Sequence, residues 1–501
     1  MRRFLFPALI CLILLLFAFP ASAERTLSHP VDPHPMPDII MTPKVYRASE
    51  GEEAVVISNP TPLRLVEGTK ARWTLTVRDG VEDVQFIFGI YQKGEDLGNG
   101  NFSLNGVYEV GPTDSTVFEY TPTVTGEIYV IVFTVDADGN ETRYDRDFYV
   151  NTAGGTSQLE QKVASVAAEC LASGASTDYD KALWLHDWLT NNAHYDLTYS
   201  YYGADGVLLL GTGVCDSYSK AYELLLNAVG VESRRCTGTA GGGGHAWNAV
   251  CMDGIWAQVD CTWDDPTSGD SDADSVPVSG YESHDYFGLS DKLMQIDHTY
   301  KESVHCDSLA RNYSLLSGEV ADWSENYVSY FQDALNSGNL SPVLTYVEGE
   351  DPWWAYYLSP DYYGIRTELM LRYLEDLSWS AYGGIAVPLA LTYDADSASL
   401  SAEIDYSSRT LELPGDTARI EEEAFADTDG YLCVKITGGE EIGPRAFADC
   451  DSLIRIELPA SVEEIAADAF AGTKDHLTII CPNGAPAAAY AEANSIPHSE
   501  N

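Results

Sequence analysis

Near the C-terminus one six-residue pattern returns at a nearly fixed interval: Ile420 to Phe425 (IEEEAF), Ile442 to Phe447 (IGPRAF) and Ile465 to Phe470 (IAADAF), spaced 22 and then 23 residues apart. Short strand-like triplets keep step with it, at Leu411-Glu412-Leu413, Val434-Lys435-Ile436 and Ile456-Glu457-Leu458. A unit of this size cannot bury its apolar edge alone, so copies must stack, each covering the next, into a solenoid. Residues 406–497 are therefore expected to form a short repeat array, and the remainder of the 501 residues must find cores of its own.

That remainder is too long for one core and predicts several domains. From 51 to 152 apolar residues alternate with polar ones, as in Trp73, Leu75 and Val77, in Val84, Phe86, Phe88 and Ile90, and in a run from Ile128 to Val135 that ends at Asp138-Gly139. Several such strands with turn signals predict a β-sandwich, immunoglobulin-like in type. At Gly154-Gly155 the apolar period changes from two to about 3.6. Leu159, Val163, Val166 and Ala167 mark one helix; Trp184, Leu185, Trp188 and Leu189 mark a second that starts near Thr177. A third begins at Cys215, carries Tyr218, Ala221, Tyr222, Leu225 and Val229 on one face, and stops at Gly230 as a C-cap glycine requires. Residues 311–405 read as a separate α+β piece without a functional signature, with helical spacing at Tyr327, Phe331 and Leu335, again at Ile365, Leu369 and Tyr373, and strands near Ile385 to Tyr393.

The N-terminus differs in kind. Arg2 and Arg3, an apolar run from Phe4 to Phe17, and Ala21-Ser22-Ala23 have the order of a cleaved secretory signal over residues 1–23. Five prolines between 24 and 50 predict an extended linker. We therefore expect a secreted protein, extracellular or held at the cell surface, with no membrane insertion after signal cleavage. A net charge of −49 repels nucleic acid and excludes it as a partner. Ten cysteines, one of them in the signal, are too few for a disulfide scaffold, and none has zinc-site spacing. No calcium loop of the D-x-D-x-D-G type occurs, so neither metal nor organic cofactor is expected.

Chemistry concentrates in 46 residues. Cys215 stands in the first turn of a predicted helix, where free N–H groups and the positive dipole end favour a thiolate. Downstream, His245-Ala246-Trp247-Asn248-Ala249-Val250 and Ile255 to Trp263 flank Asp253-Gly254, a strong hairpin signal. With those two residues as the turn, Trp247 lies opposite Asp260 and His245 diagonal to it on the same side. A nucleophile, a base and an orienting carboxylate thus occur together. The bland alternative is a buried thiol, a surface histidine and a strand-edge charge.

The stretches GVCDSYSKAYELLLNAVGVESR, GHAWNAV and WAQVDCTWDDP resemble the bacterial transglutaminase-like family of papain-like thiol enzymes over about residues 157–300, including Tyr195-Asp196, Asp285-Tyr286-Phe287 and Asp297-His298. The A-F-A-D-x element and Ala487 to Pro497 resemble the leucine-rich repeats of bacterial surface proteins. The first resemblance implies an α+β transglutaminase-like catalytic domain over 155–310, with Cys215 as nucleophile, His245 as base and Asp260 as orienter, acting on a protein or peptide substrate through a thioester. Tyr195 is a candidate for the oxyanion site, and Trp247 and Trp263 for its walls. Hydrolysis is the expected outcome, crosslinking the other. The second resemblance implies a protein or cell-surface ligand for the repeats, and hence the alternative of a catalytically idle adhesion protein.

Overall fold

The computed structural model describes residues 39–41, 53–265 and 283–500, excluding 79–80, 82, 99–100, 338, 340, 351, 361, 363, 381–383 and 405. The expected signal peptide lies outside them, as does most of the expected linker. The linker reading needs one correction. Ile39–Met41 is a strand, paired antiparallel with the edge strand Asn101–Thr113 through Ile39 and Leu104.

The first domain is two facing sheets. Six strands follow the order Ile39–Met41, Asn101–Thr113, Gln85–Gly98, Gly126–Val135, Glu141–Asn151, Leu65–Val66; three follow the order Val55–Ile57, Ala71–Val77, Val117–Tyr120. The predicted alternation is visible in Ala71–Val77, where Ala71, Trp73 and Leu75 are buried and the residues between them exposed. Trp73 stacks on Phe118 at 5.0 Å and Phe118 on Phe88 at 4.7 Å, so aromatic rings from both sheets close one core.

The second domain sets helices Gln158–Ala172, Asp178–Asn192 and Cys215–Ala228 against a five-stranded antiparallel sheet. Reciprocal caps, Ser157 with Glu160 and Thr177 with Asp180, start the first two helices where the sequence changes period. In the sheet, Gly243–Met252 turns at Asp253 (φ 52°) and Gly254 (φ 81°) into Ile255–Val259. Positive φ at both positions makes this a two-residue type I′ turn. The pairing Asn248 with Val259 and Met252 with Ile255 is the register the Asp-Gly signal predicts.

Residues 311–405 are less separate than expected. Val320, Ile365 and Leu369 pack with Trp247, Ala249 and Leu289 of the central sheet. Tyr327, Phe331 and Leu335 form a further core with Leu400 and Ile404, which Leu432 and Ile454 of the repeats complete. The region is thus a wedge between the second domain and the solenoid.

The repeats stack as parallel strands Thr410–Leu413, Cys433–Ile436, Arg455–Glu457, Thr478–Cys481 and His498–Glu500. The recurring phenylalanines form a ladder: Phe425 on Phe447 at 5.1 Å and Phe447 on Phe470 at 5.6 Å, with their ring planes nearly parallel. Helix Pro486–Ala493 buries Ala487 and Ala491 against the last coil. No helix among the described residues is long and apolar enough to cross a membrane.

Candidate functional site

Cys215 opens its helix behind Val214, whose backbone is extended and whose side chain makes no cap bond, so no capping side chain occupies the first-turn N–H groups. All nine cysteines of the described residues are free thiols, and only Cys215 and Cys251 are not buried. Position is enforced from outside the domain. Arg235 bonds Asp216, beside the thiol, and Asp147 of the sandwich. Lys220, one turn on, pairs with Asp216 at 3.1 Å and with Glu127 of the sandwich at 2.9 Å. Arg146 reaches Glu223 on the same helix at 3.0 Å. The first domain is thereby bolted to the helix that carries the thiol.

His245 Nε2 lies 2.6 Å from Asp260 Oδ2, and both residues are buried. Its side chain also bonds Cys215, which leaves Nδ1 for the sulfur. Asp260 Oδ1 accepts the Thr262 N–H at 2.9 Å and the Trp263 N–H at 3.4 Å, so backbone fixes the carboxylate. Burial opposes a charged imidazole, but the charge and hydrogen bond of Asp260, helped by Cys215, outweigh it and hold His245 at about 10. Burial likewise opposes the Asp260 anion, yet His245 and then His298 hold its pKa well below the usual carboxylate range.

His298 is the residue whose part the sequence reading missed. Its Nε2 stands 3.3 Å from Asp260 Oδ2, its Nδ1 2.5 Å from Asp297 Oδ1, and Asp297 Oδ2 accepts the Tyr286 hydroxyl at 2.6 Å. Two imidazoles therefore share one oxygen of Asp260, and Asp297 supplies a second anion beside them. Burial disfavours charge on His298; Asp260 and Asp297 overcome this and raise its pKa. His298→Gln takes the second imidazole from Asp260 Oδ2 and leaves the carboxylate held, apart from His245, by the backbone through Oδ1 alone. The expected outcome is a fall in kcat of about tenfold, with KM little changed, in steady-state assays.

The two tryptophans named from the sequence do flank the base. Trp247 is buried and stacks on His245 at 5.9 Å while donating to Gln258 Oε1 at 2.8 Å; Trp263, half-buried, lies 5.6 Å from His245 and 4.6 Å from His298. Their rings exclude water and strengthen the ion pair between them. Tyr195 pairs in register with Gly213, and its hydroxyl lies against the backbone N–H of Cys215. Burial, then the Cys215 charge, raises the phenol's pKa.

A second histidine network braces the turn after Asp260. His186 is fully buried, with Nδ1 3.0 Å from Asp187 Oδ1 and Nε2 3.2 Å from Asp264 Oδ2, while His284 Nε2 reaches Asp187 Oδ1 at 2.8 Å. Asp264 N in turn bonds Asp260 O at 3.2 Å. Donor atoms converge to within 4.8 Å in each of three groups that could hold a metal ion, His186 with Asp187 and His284, His245 with Asp260 and His298, and Asp291 with Glu302 and His305; in each a histidine already meets a carboxylate.

Residues 165–261 match the transglutaminase-like superfamily model, and residues 405–489 match the BspA type leucine rich repeat region in six copies. The chain thus carries a transglutaminase-like domain followed by BspA-type leucine-rich repeats, as the sequence resemblances imply. Among curated proteins it is similar to kyphoscoliosis peptidase of Homo sapiens, 26% identical over 137 residues, which are 23% of this chain and 20% of that protein. The chain therefore spans about a fifth of that relative's length. Among solved structures it is similar to a TGase (18% identity, 25% of this chain and 35% of that chain, TM-score 0.20) and to red sea bream transglutaminase (10% identity, 42% and 50%, TM-score 0.17).

Proposed function

We propose that the protein is a secreted cysteine-dependent acyl-transfer enzyme that opens peptide or glutamine amide bonds, with Cys215, His245 and Asp260 as its catalytic residues and water as the usual acceptor. The observation that carries this reading is the line from the helix-start thiol through His245 to a backbone-clamped Asp260 at 2.6 Å. His245 Nδ1 already holds the proton that Cys215 gives up, and the sulfur attacks the carboxamide carbon as a thiolate. As the tetrahedral intermediate collapses the C–N bond breaks and His245 gives the proton to the departing nitrogen. Water then attacks the thioester, His245 takes one of its protons, and acid and thiol are released. Asp260 holds the ring and stabilises its cation throughout.

The oxyanion needs donors, and this reading assigns that role to the Cys215 N–H and to the Tyr195 hydroxyl that lies against it. Tyr195→Phe removes one of them and is expected to lower kcat about 100-fold. A kcat unchanged by this substitution assigns Tyr195 to packing.

Hydrolysis is favoured because water is present at about 55 M and aminolysis requires a dedicated amine site. The experiment is mass spectrometry of products from a protein substrate with and without a labelled primary amine. Released fragments or ammonia in excess of incorporated amine support a hydrolase; dominant isopeptide crosslinks reverse the acceptor. No turnover at all favours an idle binding protein.

The domain limits read from the sequence are part of the proposal, with residues 51–152 as an immunoglobulin-like module. The two facing sheets, whose side chains close over one aromatic core, support it. The repeats would bind a protein or cell-surface ligand and keep the enzyme near its substrate.

A further inference from the structure

Between Tyr195 and Cys215 the chain detours through a loop unlike the rest of the surface. Leu197, Tyr199, Tyr201, Tyr202, Leu209 and Leu210 are between 41% and 60% exposed, and they are six of the fifteen exposed large hydrophobic side chains among the described residues. Scattered apolar side chains are ordinary, but a concentration of them marks a binding surface. Residues 197–203 (LTYSYYG) carry no charge, in a chain of net charge −49.

The loop is held in shape rather than merely exposed. The buried Asp196 carboxylate accepts from Thr198 N at 2.9 Å, Ser200 N at 2.6 Å and Tyr201 N at 3.0 Å. Tyr201 O takes the N–H of Val214, the residue before the thiol, at 3.0 Å. Tyr199 sits at φ 54°, a left-handed conformation that a bulky residue adopts only under constraint. That conformation presents a tyrosine at 60% exposure, its ring edge-on to Tyr195 at 6.4 Å. The surface also runs into the reactive centre: burial and then the Cys215 charge raise the pKa values of both Tyr195 and Tyr202.

Resting on the catalytic reading above, we propose that this loop is a substrate subsite that takes an extended polypeptide bearing an aromatic or large apolar side chain next to the scissile amide. Tyrosine rings give large contact area at low entropy cost, with hydroxyl tips that tolerate water. The uncharged stretch lets an apolar side chain seat, while the acidic remainder of the molecule repels acidic peptides.

The test measures modification of Cys215 in the full chain by peptidyl acyloxymethyl ketones that carry Phe, Ala or Asp beside the reactive group, with iodoacetamide as a probe lacking any side chain. In the wild type the Phe probe is expected to react about tenfold faster than the Ala and Asp probes. In Tyr199→Ala/Tyr202→Ala that preference disappears while the iodoacetamide rate stays the same. Equal rates for the three peptides in the wild type, or a preference that survives the double substitution, overturn the subsite and leave the catalytic reading standing. Failure of every probe to modify Cys215 overturns both. A wild type that self-associates in sedimentation and loses association with the double substitution, without any change in probe preference, assigns the loop to a contact between copies and likewise overturns the proposal.

Discussion

Cys215→Ala is expected to lower turnover of any amide substrate by about 10⁴-fold or more while leaving the melting temperature nearly unchanged. Among the described residues the other cysteine that is not buried, Cys251, pairs with Trp256 next to the hairpin turn, at the far end of the strand Gly243–Met252 from His245. The fold has little to lose. Alanine is a good helix former, the side chain is only half-buried, and the helix keeps its buried face of Tyr218, Ala221, Tyr222 and Leu225. One interaction does go, the bond to His245, so the histidine loses a partner that helps to raise its pKa. Activity and thermal melting on the same preparation check this. A variant that melts many degrees lower would make the thiol a packing residue.

Asp260→Asn is expected to be the next most damaging change, lowering kcat about 10³-fold, with KM moving far less. The amide is the same size, so the Thr262 and Trp263 N–H groups keep an acceptor; what vanishes is the charge that holds the His245 cation in a buried site. Without it, burial pulls the His245 pKa down, and the amide can donate to the ring and select the wrong tautomer. Stability reports the same change. In the native protein His245 titrates at about 10, above an unfolded value near 6.5, so its contribution is complete below about pH 6.5 and is lost as pH rises towards 10. Asp260, depressed in the fold, contributes above an unfolded value near 3.9 and loses that contribution as pH falls through its folded pKa. The variant lacks both terms. Its melting temperature should therefore lie below the wild type's at pH 7, and the gap should narrow at pH 10. A gap that stays constant from pH 6 to 10 would detach Asp260 from the His245 charge.

The parts of this site that were legible in the sequence are those fixed by local rules. Asp253-Gly254 sets a two-residue turn, the turn sets the register, and the register puts Trp247 opposite Asp260 with His245 beside it. Helix entry at Cys215 and exit at Gly230, which takes φ 82°, follow from apolar period and glycine alone. The solenoid was legible because a repeat states its own neighbours. His298 was quoted only as part of a resemblance, because its place depends on His298–Tyr300 pairing with Ser233–Ala240, a contact across about sixty residues that no local pattern announces. The tie between sandwich and helix was hidden for another reason. Asp147, Arg235 and Lys220 look like ordinary solvated charges until the fold brings them together. The faces of the helices in 311–405 could be read, but not that one set of apolar residues would meet the central sheet and another the repeats.

The central claim is that His245, held by Asp260, activates Cys215. Its most direct test is the rate of iodoacetamide modification of Cys215 against that of Cys251 in the same molecule, followed by peptide mass spectrometry between pH 5 and 9, in the wild type and in His245→Ala. The account predicts that Cys215 reacts faster than Cys251 by about 100-fold or more near neutral pH, and that His245→Ala removes most of the excess. Cys215 and Cys251 reacting at similar rates, or a Cys215 rate indifferent to the loss of His245, would contradict it.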